Sequence, residues 1–338
     1  GVMTDSDQTM PARRPRTVLT QISSRAWEHA ADRAALRALR AIPGFDEVVR
    51  KIYGFFGERG VRLLFQANAV RVGPSQFSRV HAAFTDVCAT MDWEPRPDLF
   101  VSQTPLVNAG AFGMDRPFVV LNSGALVLLD DEELHAILGH ELGHVISGHA
   151  LYRTILFIIL EFGFRNLPFL AGVALLPIQI ALLEWYRKSE LSSDRAGLLA
   201  SQDPIASMRM FMKLAGGGNM HEMNLDAFMA QAREYEEGGD AVDTIYKVIN
   251  TLGFTHPFHT LRAAELQRWV AGGEYDRILR GEYPRRGADD QRQPLAADLG
   301  DAGKYYADQA RGAVDTVADV AKKARDAFAN AFKGPGPQ

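Results

Sequence analysis

Cysteine is nearly absent from this sequence, with Cys88 alone among 338 residues. A single thiol cannot form an intrachain disulfide, and it excludes a metal site built from several thiolates. A chain of this kind is typical of a reducing compartment. Because Cys88 falls in an apolar pattern with Phe84, Val87 and Met91, we predict that it is a core residue rather than a nucleophile.

A strong net charge is also absent. The formal net charge is −4, from 37 Lys and Arg against 41 Asp and Glu, so the composition does not indicate a nucleic-acid partner. The apolar stretch at 17–21 is too short for the hydrophobic region of a signal peptide. We therefore expect a cytoplasmic protein, with peripheral attachment to a membrane left open.

Long uninterrupted hydrophobic runs are scarce as well. The most apolar region is 151–187, within which residues 166–183 carry no charge. A run of this length is considered as a membrane helix, but Pro168 and Pro177 interrupt it. One interpretation is a helical hairpin buried in the protein. The other is that residues 154–183 enter a bilayer or form an apolar oligomer surface.

The pattern that is present predicts a mostly helical α+β protein. Apolar residues recur at helical spacing before residue 92, and three short segments rich in β-formers follow. These predicted strands are 99–102, 106–112 and 118–121. The predicted divisions are a flexible leader at 1–21, a main domain at 22–280 with a helical part at 22–92 and a catalytic core at 93–272, a linker at 281–297, and an amphipathic helical tail at 298–338.

The segment from Gly139 to His144 carries the clearest chemistry, Gly-His-Glu-Leu-Gly-His. On a helix, His140 and His144 lie one turn apart, so both imidazoles leave the same face. Two imidazoles in this arrangement bind one Zn²⁺, and Glu141 is then placed to act as a base.

The flanking residues place this motif on a helix. Asp130 and Glu133 form a capping-box pattern that predicts the start of the helix. The three predicted strands come just before it. We therefore expect a small three-stranded sheet packed beside the active-site helix.

A catalytic zinc site requires a third protein ligand. His149 is a poor candidate, because it lies five residues after His144 and on another face of a helix. Glu190 is the better candidate, since Glu-x-x-x-Asp places Glu190 and Asp194 on one helix face. From there, Asp194 can accept the free N–H of a ligand histidine.

Four separated segments resemble the HtpX and CAAX-prenyl-protease group of gluzincin zinc metallopeptidases. They occur in the family's order over roughly residues 75–270, with departures at Gly110 and Ser193. The segments are 108–113, 137–144, 187–197, and Thr255-His256-Pro257 with Arg262.

This resemblance implies a gluzincin-like fold with one Zn²⁺ per chain. Its ligands would be His140, His144 and Glu190. Glu141 would be the general base in hydrolysis by a zinc-activated water, and Asp194 would accept a hydrogen bond from a ligand histidine. This set agrees with the one inferred from the residues themselves.

The resemblance also implies roles for residues outside the metal ligands. An extended peptide would lie along the edge at 108–112, with Asn108, Ala109 and Ala111 as peptide-binding residues, and strand addition to a sheet edge is a known mode of peptide binding. His256 would stabilise the oxyanion or cap the metal in a latent state. Arg262 would order that loop or the site.

The first hypothesis is a zinc endopeptidase that acts on protein or peptide substrates, in protein quality control. Membrane members of the family carry spanning helices that this sequence lacks, so we do not expect cleavage of prenylated tails in a bilayer. The alternative is an adaptor or chaperone-like binding protein with a structural or latent zinc site. Residues 154–183 and 298–332 would then contact a membrane surface or another subunit. For the tail, a solvated or disordered segment is the competing interpretation.

Overall fold

The computed structural model describes residues 14–103, 109–163, 166–236 and 258–287. These residues form a four-stranded sheet and helices, which confirms the predicted mostly helical α+β class. The strands are β1 (Ala69–Arg71), β2 (Asp98–Ser102), β3 (Ala109–Phe112) and β4 (Phe118–Asn122). The helices are α1 (Ala30–Ala41), α2 (Phe45–Gln66), α3 (Ser78–Thr90), α4 (Ser123–Leu128), α5 (Asp131–Ile146), α6 (Ala150–Phe162), α7 (Leu175–Ser201), α8 (Pro204–Gly216), α9 (Leu225–Glu236), α10 (His259–Ala271) and α11 (Glu274–Leu279).

The sheet has the strand order β1-β2-β4-β3. β2 and β4 are parallel, and β1 and β3 pair antiparallel with them on either side. The prediction of three strands was wrong by one, because β1 has only three residues and shows no alternation of buried and exposed side chains. β3 lies at one end of the sheet, so the predicted peptide-binding edge does fall on an edge strand among the described residues.

Helix α5 is the central helix of the fold. The predicted capping box is confirmed, since the Glu133 backbone N–H donates to Asp130 Oδ1 at 2.9 Å and the Asp130 N–H donates to Glu133 Oε1 at 3.0 Å. Every residue from Glu133 to Val145 is buried. The buried Glu133 carboxylate also pairs with Lys213 and with Arg209 of α8. The motif therefore lies on a helix that the whole core holds in place.

Helices α5 and α7 approach each other closely because small residues line their contact. An added Cβ at Gly139 would overlap Ala200 Cβ, and one at Gly197 would lie 2.6 Å from the Ala136 carbonyl oxygen. Gly143 faces a similar restriction. Because the two backbones lie so near each other, side chains one turn apart on α7 can reach those on α5.

Helix α7 includes Pro177, one of the two prolines that interrupt the apolar run in the sequence. It runs without interruption from Leu175 to Ser201. Pro177 lies in its first turn, where the backbone N–H has no intrahelical partner and its loss costs little. The proline was therefore compatible with the helix rather than a break in it.

Most apolar side chains of α6 and of the first half of α7 pack against the N-terminal helices. Side chains of α6 and the first half of α7 form a second hydrophobic cluster with α1 and α2, which contains Leu39, Phe45, Val48, Ile52, Ile155, Leu156, Ile158, Ile159, Leu175, Ile178, Leu182, Leu183 and Trp185. Over the described ranges, each helix taken singly falls short of the length and apolarity needed to cross a membrane. Among the described helices, only α5 and α6 taken together have the required length and apolarity, and this pair is bent by 101° at its junction.

The folded body extends beyond the predicted boundaries at both ends. Leu19 is fully buried and its N–H donates to the Thr90 carbonyl at 2.8 Å, although we predicted a flexible leader up to residue 21. At the other end, the Arg286 N–H donates to the Gln21 carbonyl at 2.7 Å, although we predicted a linker from residue 281. The predicted tail at 298–338 lies outside the described residues.

Candidate metal centre

The two motif histidines face Glu190 across the contact between α5 and α7. His140 and His144 are 4% and 0% exposed, and their Nε2 atoms lie 3.2 Å apart. Glu190 Oε2 lies 3.2 Å from His140 Nε2, and Glu190 Oε1 lies 2.9 Å from His144 Nε2. The structure thus brings together the donor atoms of all three predicted ligands.

Glu141 lies beside this group and is also buried. Its Oε1 is 3.8 Å from His140 Nε2, so Glu190 is the nearer carboxylate to the imidazoles. Glu141 Oε2 is buried and has no hydrogen-bond partner among the described residues. Burial raises the pKa of Glu141 above its usual value, because the charged form is poorly solvated there.

Asp194 lies one helical turn beyond Glu190 and contacts the far side of His140. Its Oδ1 is 2.9 Å from His140 Nδ1. Arg262 of α10 binds the same carboxylate with two hydrogen bonds, from Nε to Oδ2 at 2.9 Å and from Nη2 to Oδ1 at 2.7 Å. Arg262 Nη1 is also 3.5 Å from Glu190 Oε2. Arg262 therefore holds two of the predicted site carboxylates in place.

The surroundings shift the pKa values of the two histidines in opposite directions. Burial lowers the pKa of His140, but the carboxylates of Glu190 and Asp194 outweigh it and raise that pKa to about 9. Burial and the nearby Arg153 guanidinium lower the pKa of His144 well below its usual value. Although burial works against it, the pKa of Glu190 is held well below its usual value by His140, Arg153 and Arg262.

Arg153 of α6 is a site residue that the sequence analysis missed. Its Nη1 donates to Glu190 Oε1 at 2.6 Å and lies 3.0 Å from His144 Nε2. The guanidinium carbon lies 4.7 Å from the ring centroid of Tyr186. A signal existed in the sequence, because Arg153 is the one charged residue in the apolar stretch 150–160.

His149 was rejected as a ligand, and the structure places it behind His144 instead. The two Nδ1 atoms lie 3.0 Å apart. On its other side, His149 Nε2 lies 3.3 Å from Asp32 Oδ2. No sequence pattern pointed to Asp32, because it belongs to α1 and is remote from the motif along the chain.

Two predicted site residues, Asn108 and His256, lie outside the described residues. Of the other predicted peptide-binding residues, Ala109 is partly buried and Ala111 is buried, both on β3. The Gly113 N–H just after β3 donates to Thr154 Oγ1 of α6 at 2.9 Å. This bond ties the end of the edge strand to the helix that carries Arg153.

The comparisons with known proteins agree on one protein family. The model of Peptidase family M48 matches residues 74–270. "Plastoglobule-localized metallopeptidase 48, chloroplastic" from Arabidopsis thaliana is 32% identical over 271 residues, which is 79% of this chain and 78% of the relative. A "Protease HtpX homolog" from Pseudarthrobacter chlorophenolicus is 27% identical over 242 residues, or 64% of this chain and 80% of that protein.

Another "Protease HtpX homolog", from Tropheryma whipplei, is 27% identical over 149 residues, which is 36% of this chain and 51% of the relative. This chain therefore spans about half the length of that relative. Among solved structures, none matches the chain significantly. The family match and the plant relative each cover more than half of the chain, and we conclude that the chain belongs to peptidase family M48 and is an HtpX-like metallopeptidase.

Proposed function

We propose that this protein is a zinc-dependent endopeptidase that hydrolyses peptide bonds within protein substrates. The observation that carries the proposal is the convergence of His140, His144 and Glu190 beside the buried carboxylate of Glu141. In this proposal one Zn²⁺ binds to the three converging donors of each chain.

The chemistry of the donors supports zinc as the metal. Two imidazoles and one carboxylate are a ligand set of catalytic zinc, which leaves a coordination position open for the reaction. Magnesium and calcium prefer oxygen ligands alone. Among the described residues, Glu141 Oε2 has no hydrogen-bond partner. This supports a reaction site as well, because a buried carboxylate oxygen without a partner is costly unless water or substrate contacts it.

The roles of the protein groups follow from their positions. Bound zinc would act as a Lewis acid that polarises the scissile carbonyl and lowers the pKa of the attacking water. Glu141 takes the proton from this water and later transfers it to the leaving amine. The raised pKa of Glu141, caused by burial, suits a group that must both accept and donate this proton. Arg153 and Arg262 keep Glu190 ionised.

We place the substrate along β3 in an extended conformation. Among the described strands, β3 pairs with β4 alone, so the opposite edge of β3 is available for strand addition. β3 packs against α5 and α6, which carry the site. The proposed contacts are the backbones of Asn108, Ala109 and Ala111, and His256 remains the proposed oxyanion or capping group.

For the cellular setting, we propose a cytoplasmic enzyme of protein quality control that associates peripherally with a membrane. The plant relative is named as plastoglobule-localized, which supports an association of this kind. The exposed side chains of Phe55 and Leu63, which are 66% and 56% accessible, offer apolar contact area on α2. Liposome flotation of the purified protein tests the membrane association, and absence of the protein from the floated fraction would refute it.

The test of the activity is a comparison of wild type with Glu141→Gln, in zinc content and in cleavage of casein or a peptide library. Glu222→Gln is the matched control, since the exposed Glu222 also follows a histidine. We expect about one zinc per chain in all three proteins, and a loss of cleavage of about 10²–10⁴-fold in Glu141→Gln only.

Equal cleavage by wild type and Glu141→Gln would overturn the proposal. Stoichiometric zinc without cleavage of any peptide would also overturn it and would favour the adaptor or chaperone-like alternative.

A further inference from the structure

A chain of three buried side chains runs from His144 to the N-terminal helix. His144 Nδ1 lies 3.0 Å from His149 Nδ1, and His149 Nε2 lies 3.3 Å from Asp32 Oδ2. The three residues are 0%, 2% and 1% exposed, so water does not compete for these contacts. Asp32 lies outside the segment 74–270 that matches the family model.

The far end of this chain is built to hold an ionised carboxylate. Asp32 Oδ1 accepts a hydrogen bond from Trp185 Nε1 at 2.9 Å, and Oδ2 accepts one from Ser192 Oγ at 2.7 Å. Both donors belong to α7, the helix that also carries Glu190. The Trp185 ring packs edge-on against His149, with ring centroids 5.2 Å apart. These contacts determine where both Asp32 and the His149 ring lie.

The hydrogen positions then follow from the chemistry of the ligand. If His144 binds a metal through Nε2, as the proposed function requires, its proton must lie on Nδ1. That N–H faces His149 Nδ1, which must therefore accept. A neutral His149 then carries its proton on Nε2 and donates it to Asp32, which can only accept.

We propose that Asp32 is a positioning residue of the metal site, which acts through His149 to fix His144 in its metal-binding tautomer. Each histidine ligand thereby has its own carboxylate: Asp194 contacts His140 directly, and Asp32 acts on His144 through one intervening ring. Hydrogen-bond partners of this kind orient a ligand histidine and raise its basicity. Helix α1 is thus part of the metal site.

The first test is zinc affinity, measured by competition with a chromophoric chelator. We expect Asp32→Asn and His149→Gln each to weaken zinc binding by about 10–100-fold. Because the two residues act as one chain, the double variant should be no weaker than the single variants. Asp46→Asn, an exposed aspartate of α2, is the matched control and should bind zinc as wild type does.

Wild-type affinity in Asp32→Asn would overturn the inference, and so would losses that multiply in the double variant. Neither result would contradict the proposed peptidase activity. Wild-type protein that binds no zinc, in contrast, would refute the proposed function itself. Affinities are compared only for variants whose metal-free circular dichroism spectrum matches that of wild type.

A second measurement uses the wild-type protein, so it does not depend on whether a variant folds. ¹⁵N NMR of the histidine rings in zinc-loaded wild type should show His144 protonated on Nδ1 and His149 protonated on Nε2. A His149 ring protonated on Nδ1 would refute the proposed chain of hydrogen bonds.

Discussion

The close contact of α5 with α7 leads to a stability prediction for Gly197→Ala. An added Cβ would lie 2.6 Å from the Ala136 carbonyl oxygen and 3.4 Å from His140 Cβ. The nearer atom belongs to the backbone of a buried helix, so it cannot rotate away as a flexible side chain can. The overlap can be relieved only if the two helices move apart.

The magnitude follows from two opposing effects. Alanine in a helix interior is favoured over glycine by about 1 kcal/mol. Overpacking of a well-packed core costs about 1–3 kcal/mol, occasionally more, and a contact with a backbone oxygen belongs at or above the upper end of this range. We expect a net loss of about 2 kcal/mol in the free energy of unfolding, or roughly 3–4 °C in the melting temperature for a chain of this size.

The control is Gly54→Ala, also inside a helix, where an added Cβ meets nothing within 4 Å. Here the helix preference acts alone, so the free energy of unfolding should rise by up to about 1 kcal/mol. Both variants are compared with wild type by thermal unfolding in the metal-free state. A Gly197→Ala protein that melts at or above the wild-type temperature would refute the idea that the close helix contact requires glycine.

Two further predictions concern the titratable groups. Despite burial, Glu190 and Asp194 raise the pKa of His140 to about 9 in the metal-free protein, so below that pH zinc must displace one proton. Apparent zinc affinity should therefore rise about tenfold per pH unit between about pH 7 and about pH 8.5 and level off near 9. It is measured by competition with a chelator, after correction for the pH dependence of the chelator itself. An affinity that does not change with pH would contradict the predicted proton on His140. Burial raises the pKa of Cys88 to about 12, so iodoacetamide at about pH 8 should label this thiol only after unfolding, and mass spectrometry showing rapid labelling of the native protein would disprove it.

The features that could be predicted from the sequence are those that local rules determine. A capping box and a helical repeat depend on residues within one or two turns, which is why the start of α5 and the shared face of His140 and His144 could be predicted. Glu190 and Asp194 could be proposed for a similar reason, since Glu-x-x-x-Asp places both on one face of a single helix. Their distance from the histidines required knowledge of how α7 packs.

Weaker local signals gave the errors. β1 has only three residues, which is too short for an alternating pattern to be recognised. Pro177 was treated as a break, although a proline in the first helical turn removes no hydrogen bond. At the predicted ends of the domain, residues 14–21 and 281–287 are polar enough to suggest loops, yet Leu19 and Arg286 donate backbone hydrogen bonds to Thr90 and Gln21.

By itself, the sequence determined the helix that carries His140 and His144, the types of the predicted ligands and the family to which the chain belongs, because each depends on residue types at short and regular spacing. Only the tertiary structure decided which distant side chains complete the site. Arg153, His149 and Asp32 reach His144 or its partners through the packing of α1, α6 and α7. Their roles depend on contacts between helices that are far apart along the chain, and no local pattern records such contacts.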